Sequence, residues 1–327
     1  MNECKRTTPT HEAPQASSQH DSRPGGISAQ QVDYLPIFKA IADELDLVGV
    51  VDRLVSTEMH VSCGLIVLGL VLDTLSGRSP LYRLVEFYEG RDTEVLLGQS
   101  LSASVFNDHT AGRVLEKLYE TGTQKIYSEL AMRALNAFSV GAHRLHFDTT
   151  SKSVYGNYTY SEEAPPPFRL VHGHSKDHRP DLKQFVVSLL CTESKVPLWG
   201  KLEDGNSSDK TLNNEILSRV AGKIVEQGMA EEAFIYVADS AMVTEANLEA
   251  AGQQLFITRL PANYAECNRV IEEAVVADRW IEVGQIATTK PTRNRPAVIY
   301  RTSESTVDLY GKNYRAVVVH SSSFDRR

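Results

Sequence analysis

The chain has 327 residues, 42% of them hydrophobic, with 34 basic and 42 acidic side chains for a formal charge of −8. That length and apolar content suffice for a real core and for two domains, and they exclude a wholly disordered protein. The negative total excludes a uniformly basic nucleic-acid coat, so any nucleic-acid contact must be local.

In chain order, Met1 to Ser28 is rich in Ser, Thr, Pro, Gln and His with almost no large apolar residue. Such a stretch cannot repay the entropy of ordering, and a disordered tail over residues 1–29 is expected. From Gln30 the texture turns helical. Leu35, Phe38, Ile41, Ala42 and Leu45 recur at three and four residues, and Val50 to Val55 reads as a second short helix. Val61 to Leu75 is apolar nearly all round, which marks a helix buried in a bundle. Ser79-Pro80 opens another, Asn107 or Asp108 caps a helix over His109 to Tyr119, and Ile126 to Phe138 forms the last before Gly141. Residues 30–141 thus form an all-α N-terminal domain. Its helix over 109–119 either reads DNA through Arg113 and Lys117 or packs with its charges solvated.

From Ala142 the period changes to two. Leu145, Phe147 and Thr149 alternate with His146, Asp148 and Thr150, a strand entering a core with Asp148 pointing off it. Phe168 to Val171, Gln184 to Cys191 and Val196 to Leu202 read as further strands. Asp204-Gly205-Asn206 makes a turn, and Asp209 begins a helix running to about Gln227. Ala233 to Asp239 is a strand ending in a second aspartate, then comes a helix to Ala251 and a strand over Gln254 to Thr258. This is an α/β order with one mixed sheet over residues 142–327. Beyond Pro261, Ala297 to Arg301, Thr306 to Tyr310 and Tyr314 to His320 read as three strands of a β-rich insertion, with a turn at Gly311-Lys312-Asn313.

Two aspartates at strand ends suggest neighbouring strands presenting carboxylates at one edge. Such groups repel unless a cation neutralises them, and hard oxygen donors suit Mg²⁺ or Mn²⁺. The segment GHSKDHRPDLK, preceded by His172, carries the other dense chemistry. His172, His174, Asp177 and His178 resemble a metallo-hydrolase ligand run. The spacing is one residue too long, however, and Lys176 beside the ligands would oppose a dication. Alternatively Lys176, Arg179 and Lys183 form a basic loop for backbone phosphates, or a solvated turn stiffened by Pro180. A second basic loop, ATTKPTRNR, holds Lys290, Arg293 and Arg295. Four scattered cysteines with no Cys-x-x-Cys pair fit neither a zinc ribbon nor a disulfide scaffold, so reduced thiols in a cytoplasm are expected. No signal-peptide stretch opens the chain, and its most apolar run is too short to span a membrane.

The blocks FDTTSKSVYGNY, GHSKDHRPDLKQF, DGNSSD and YVADSAMVT together resemble insertion-sequence DDE transposases of the branch related to the IS-four superfamily. SPLYRLVEFYEG and VFNDHTAGRVLEKLYETG resemble that branch's helical N-terminal domain. The resemblance implies an RNase H-like core in which two Asp and one Glu bind two Mg²⁺ or Mn²⁺ ions. Asp148 matches the first aspartate and Asp239 the second. It implies cleavage and strand transfer at element ends, with double-stranded end and target DNA as partners. It further implies a homo-oligomer on DNA and a cytoplasmic, nucleoid-associated location. Lys176, Arg179, Lys183 and Asp209 match family positions placed near DNA, and the basic loop adds Lys290, Arg293 and Arg295. The family's third carboxylate lies past the β insertion in a Tyr, Arg, Glu, Lys block. No such block surrounds Glu282 or Glu304, so the expectation is a C-terminally truncated core with no third catalytic residue assigned, inactive alone. The rival expectation is a remnant that only binds DNA.

Overall fold

A computed structural model of the chain describes residues 29–160, 166–174, 178–216, 234–286, 290–292 and 296–323. The 1–29 tail, Ser175 to Asp177, most of the helix expected up to Gln227, and Arg293 to Arg295 therefore lie outside the described residues, save residue 29 itself. The chain divides into two compact units, residues 1–133 and 134–327.

The first unit is helical: α1 (Leu35–Glu44), α2 (Leu47–Leu54), α3 (Cys63–Leu75), α4 (Leu84–Tyr88), α5 (Thr93–Leu97), α6 (Asp108–Thr121) and most of α7 (Thr123–Ala137). α3 is the hub because its first ten residues are apolar or glycine: Leu65, Ile66, Leu68 and Leu72 are all buried, and the buried Asp73 near its end accepts the Ser79 N–H. Its first turn is held by the Ser62 hydroxyl, which accepts the Leu65 N–H at 3.1 Å, and by Asp52, which accepts the Gly64 N–H at 2.7 Å. Opposite Gly69 the Tyr88 and Phe106 rings stack at 3.9 Å, and the Tyr88 hydroxyl donates to the Gly69 carbonyl at 2.9 Å. Asn107 caps α6 by accepting the Thr110 N–H at 2.8 Å. α5 has too few residues to show a period, and the sequence reading passes over it.

The second unit is built on a five-stranded mixed sheet of β1 (Arg144–Val154), β2 (Lys183–Thr192), β3 (Pro197–Asp204), β4 (Ile235–Ala238) and β5 (Phe256–Thr258). Its order is β3-β2-β1-β4-β5. β1, β2 and β3 are antiparallel neighbours, whereas β4 runs parallel beside β1 and β5 parallel beside β4. This is the RNase H-like arrangement. One face of the sheet buries Leu145, Phe147, Val186, Leu190 and Tyr236 against Ile216, Met242 and Leu248. These last come from α8, whose described residues are 209–216, from the 3₁₀ turn Ser240–Met242, and from α9 (Glu245–Ala251). A second sheet joins β6 (Ile281–Gly284), β7 (Tyr300–Leu309) and β8 (Lys312–Ser321), preceded by α10 (Ala265–Ala277).

Three expectations are corrected here. Phe168 to Val171 is not a strand; only Val171 bridges to Gln184. Ala297–Arg301 and Thr306–Tyr310 are not separate strands, because pairing with β8 continues from Tyr300 through the polar Thr302 to Ser305. Backbone hydrogen bonds do not require apolar side chains, so the polar interval left no gap in the ladder. The turn falls on Tyr310 and Gly311, with φ of 54° and 75°, the two-residue hairpin geometry that follows the strand twist. Among the described residues no helix is long and apolar enough to cross a membrane.

Candidate active site

Along β1 burial alternates without a break from Arg144 to Lys152. Leu145, Phe147, Thr149 and Ser151 go to the core, and His146, Asp148, Thr150 and Lys152 face out. β4 lies parallel to β1 with Arg144 beside Ile235, Leu145 beside Tyr236 and His146 beside Val237. Continued two residues, that register sets Asp148 opposite Asp239, at the usual strand separation of about 4.8 Å. Both aspartates are exposed.

Each carboxylate is oriented by its own backbone. Asp148 Oδ1 accepts the Thr149 N–H at 2.8 Å, and Asp239 Oδ1 accepts the Ala241 N–H at 3.0 Å, capping the 3₁₀ turn. Thr258, at the end of β5, donates its hydroxyl to the Asp239 carbonyl at 2.6 Å and so fixes the strand end from the far side. Among the described residues neither aspartate has an ion-pair partner. The surroundings register their charge. Burial raises the Cys191 thiol above its ordinary value and Asp148 adds to the shift. Burial likewise raises the Tyr236 hydroxyl, with Asp239 adding to it.

Asp209, the first residue of α8, sits across the sheet from Asp148. Its Oδ1 accepts the Thr149 hydroxyl at 2.6 Å. It lines a cavity of about 460 Å³ with Thr149, Ser151, His174, Gln184 and Ser208 on the core side of β1. The Tyr236 hydroxyl donates to Asn213 Oδ1 at 2.8 Å, tying β4 to the same helix. The β1–α8 and β4–α8 links thus hold the two carboxylate-bearing strands in register from beneath.

The basic candidates are dispersed. Arg179 forms a bidentate pair with Asp181 at 2.8 and 2.7 Å and reaches the Tyr155 hydroxyl at 3.4 Å. Those contacts, Asp181 first, raise the guanidinium above its ordinary value. Lys183 donates from Nζ to the carbonyls of Asn157 and Tyr158. Lys290 is exposed, while Lys176, Arg293 and Arg295 lie outside the described residues. His172 contacts the Pro180 carbonyl at 3.2 Å, and among the described residues no group of three His, Cys, Asp or Glu side chains could hold a metal. The histidine-run metal reading therefore gains nothing among these residues. Glu304 pairs with Arg315 at 2.5 Å and Glu282 lies on β6, so neither joins the aspartates. As donors, two carboxylates that the continued β1–β4 register sets opposite each other, with no ion-pair partner among the described residues, suit a hard dication. Sequence reading missed Thr258, since a single hydroxyl at a short strand's end carries no periodic signal.

Residues 27–132 match a family described as a domain of unknown function, DUF4277. No curated protein matches the chain. Among solved structures, "Mos1 transposase paired-end complex with left transposon end" aligns at 11% identity and a TM-score of 0.25, over 68% of this chain and 65% of that one. "Crystal structure of the Mos1 Strand Transfer Complex" aligns at 10% identity and a TM-score of 0.23, over 67% and 66%. The chain thus spans just under two thirds of the length of these structures. At such identities and scores the likeness carries no functional inference, and the strand order and the paired aspartates stand on their own.

Proposed function

We propose that this chain is a DDE-type DNA transposase or a portion of one, acting on phosphodiesters at insertion-sequence ends. The observation that supports it best is the β1–β4 register, which sets Asp148 opposite Asp239 on an open sheet face. In this reading the two carboxylates supply oxygen ligands to Mg²⁺ or Mn²⁺. When bound, the ions supply charge stabilisation for the attacking and leaving oxygens of an in-line displacement. The chain's own residues hold the geometry. Thr258 fixes the Asp239 backbone, and the Thr149–Asp209 hydrogen bond anchors the strand that carries Asp148.

The finer roles belong to the same proposal. Lys176, Arg179, Lys183, Lys290, Arg293 and Arg295 contact backbone phosphates of end or target DNA, and Asp209 orders the site beside it. The helical unit is a DNA-associated domain, and the chain works as an oligomer on DNA. A second reading, DNA binding without cleavage, is favoured by one observation. No third acidic side chain joins the aspartates among the described residues.

The deciding experiment is nicking of supercoiled plasmid by the full chain with MgCl₂ or MnCl₂, run beside a gel-shift assay. Nicking that disappears with EDTA and in Asp148→Ala or Asp239→Ala, while DNA binding persists, supports the transposase reading. Binding with no nicking supports the second reading. A chain that neither binds nor cuts DNA refutes both.

A further inference from the structure

The second sheet protects its two sides unequally. On the β6 side the edge strand is only four residues long, and where β6 ends α10 takes over: Arg269 donates to the Thr306 carbonyl at 2.7 Å and Glu266 accepts the Asp308 N–H at 3.1 Å. The opposite edge is β8, ten residues with no proline and no bulge in its pairing to β7. Ser322 donates its N–H to the Ile299 carbonyl at 3.0 Å, which fixes the alternation of the ladder. The even-numbered residues of β8 bond to β7, and Asn313, Arg315, Val317, Val319 and Ser321 turn their backbone N–H and C=O groups away from it. Among the described residues no hydrogen bond reaches those groups. A long edge of this kind is a template for another strand.

Its side chains suit a copy of itself. Val317 is 47% exposed and Val319 58%, and the exposed Arg315 pairs with Glu304 on β7. Laid antiparallel on a second copy about a two-fold axis at Val317, the strand sets Val317 opposite its own copy, Arg315 opposite Val319, Asn313 opposite Ser321 and Tyr314 opposite His320. No two like charges meet, whereas an axis at Arg315 would oppose two guanidinium groups. The outward residues then exchange about ten backbone hydrogen bonds, as many as a standard interface carries. The outer faces of the two copies stay on one side of the joined sheet, so their exposed valines form a single strip. The contact is small. At about 3.4 Å per residue it runs roughly 30 Å, and at about 10 Å thick it covers roughly 300 Å² per copy against about 800 Å² in a standard interface. Such an association is weak and reversible.

We propose that β8 is a self-association edge: two copies of this chain pair β8 with β8, antiparallel about Val317, and join their three-stranded sheets into one. The pairing uses neither DNA nor a metal ion, so it goes beyond the transposase reading, and its failure leaves that reading standing.

The test is sedimentation velocity of the full chain in EDTA without DNA, over about 5–200 µM. Wild type is expected to pass from monomer towards dimer across that range. Val319→Arg sets a like charge opposite Arg315 of the second copy and weakens the dimer about 5- to 30-fold, since the two-fold axis counts the pair twice. Val319→Glu, equally polar, meets the same guanidinium with the opposite charge and retains the dimer. Val317→Cys places two thiols across the axis at a Cα separation of about 5.5 Å, within disulfide range. Mild oxidation should link that variant into a dimer and leave wild type, with its native cysteines, unlinked. Circular dichroism verifies that each variant is folded. Wild type that stays monomeric at the highest concentration, leaving the edge to a strand of another partner, overturns the proposal. So does a dimer that Val319→Arg and Val319→Glu alter equally, or one that Val317→Cys fails to link.

Discussion

Asp239→Asn tests the carboxylate pair without using activity. Neighbouring strands stand about 4.8 Å apart, and two charges near 5 Å repel by about 0.8 kcal/mol in water and about 3 kcal/mol at an effective dielectric of 20. Both aspartates are exposed, so the lower figure governs, about 1 kcal/mol. Asparagine keeps the Oδ1 that accepts the Ala241 N–H, so the 3₁₀ cap survives and only the charge goes. Without divalent ions the variant is therefore expected to be more stable than wild type, by about 2–4 °C in melting temperature for a unit of this size. The difference shrinks in high salt. Adding MgCl₂ at constant ionic strength reverses the order. The wild type gains about 2.7 kcal/mol at a hundred times its dissociation constant, and the variant gains far less. The chain's two tryptophans, Trp199 and Trp280, both lie in the second unit, so their fluorescence reports its unfolding and not that of the helical unit. A variant less stable than wild type without metal, or an equal response of both proteins to Mg²⁺, would refute the reasoning.

Three further outcomes are expected. Thr149→Val removes the 2.6 Å hydrogen bond to Asp209 beneath Asp148; urea unfolding followed by tryptophan fluorescence should show a loss of about 1–2 kcal/mol, and Thr149→Ser should retain most of it. Gly64→Ala drives a methyl to 2.4 Å from the Val48 carbonyl oxygen and 2.8 Å from its Cα. Because that obstacle is backbone, circular dichroism melting of the helical unit should record a loss of about 1–3 kcal/mol, and an unchanged melt would show that α2 and α3 part freely. Glu266 accepts hydrogen bonds from Arg269 at 3.0 and 2.7 Å and from the Asp308 N–H at 3.1 Å, which hold its carboxyl below the ordinary 4.5, Arg269 contributing first. A depressed folded value means stability that is complete above 4.5 and is lost as pH falls through the folded value. Wild type should then lose more stability below about pH 4.5 than Glu266→Gln does, and equal losses would remove Glu266 from the account.

Some of this site is written in local pattern. Leu145 to Lys152 alternates between core and solvent, and that alternation alone puts Asp148 on the outer face, because side chains on a strand repeat every two residues. The run Phe234 to Ala238 followed by Asp239 marks a second carboxylate at a strand end in the same way. Helices α1, α3 and α6 show their faces or caps in sequence, since a period of 3.6 and a side-chain cap are properties of adjacent residues. Even there the period does not equal burial: Ile41, on the apolar stripe of α1, is 42% exposed.

What the fold alone decided are the pairings between distant segments. Nothing near Asp148 or Asp239 states that β4 lies beside β1 in the register that opposes them. That depends on β2 and β3 filling the other flank of β1 and on Tyr236 reaching Asn213 of α8. The inward turn of Asp209 to Thr149, the capture of Lys183 by the Asn157 and Tyr158 carbonyls, and the Thr258 clamp on Asp239 join groups far apart in the chain. So does the continuous pairing of β7 with β8 through a polar interval. Periodicity fixes which way a residue faces within its own element, whereas which group it meets is set by how whole elements pack, and only the tertiary structure contains that information.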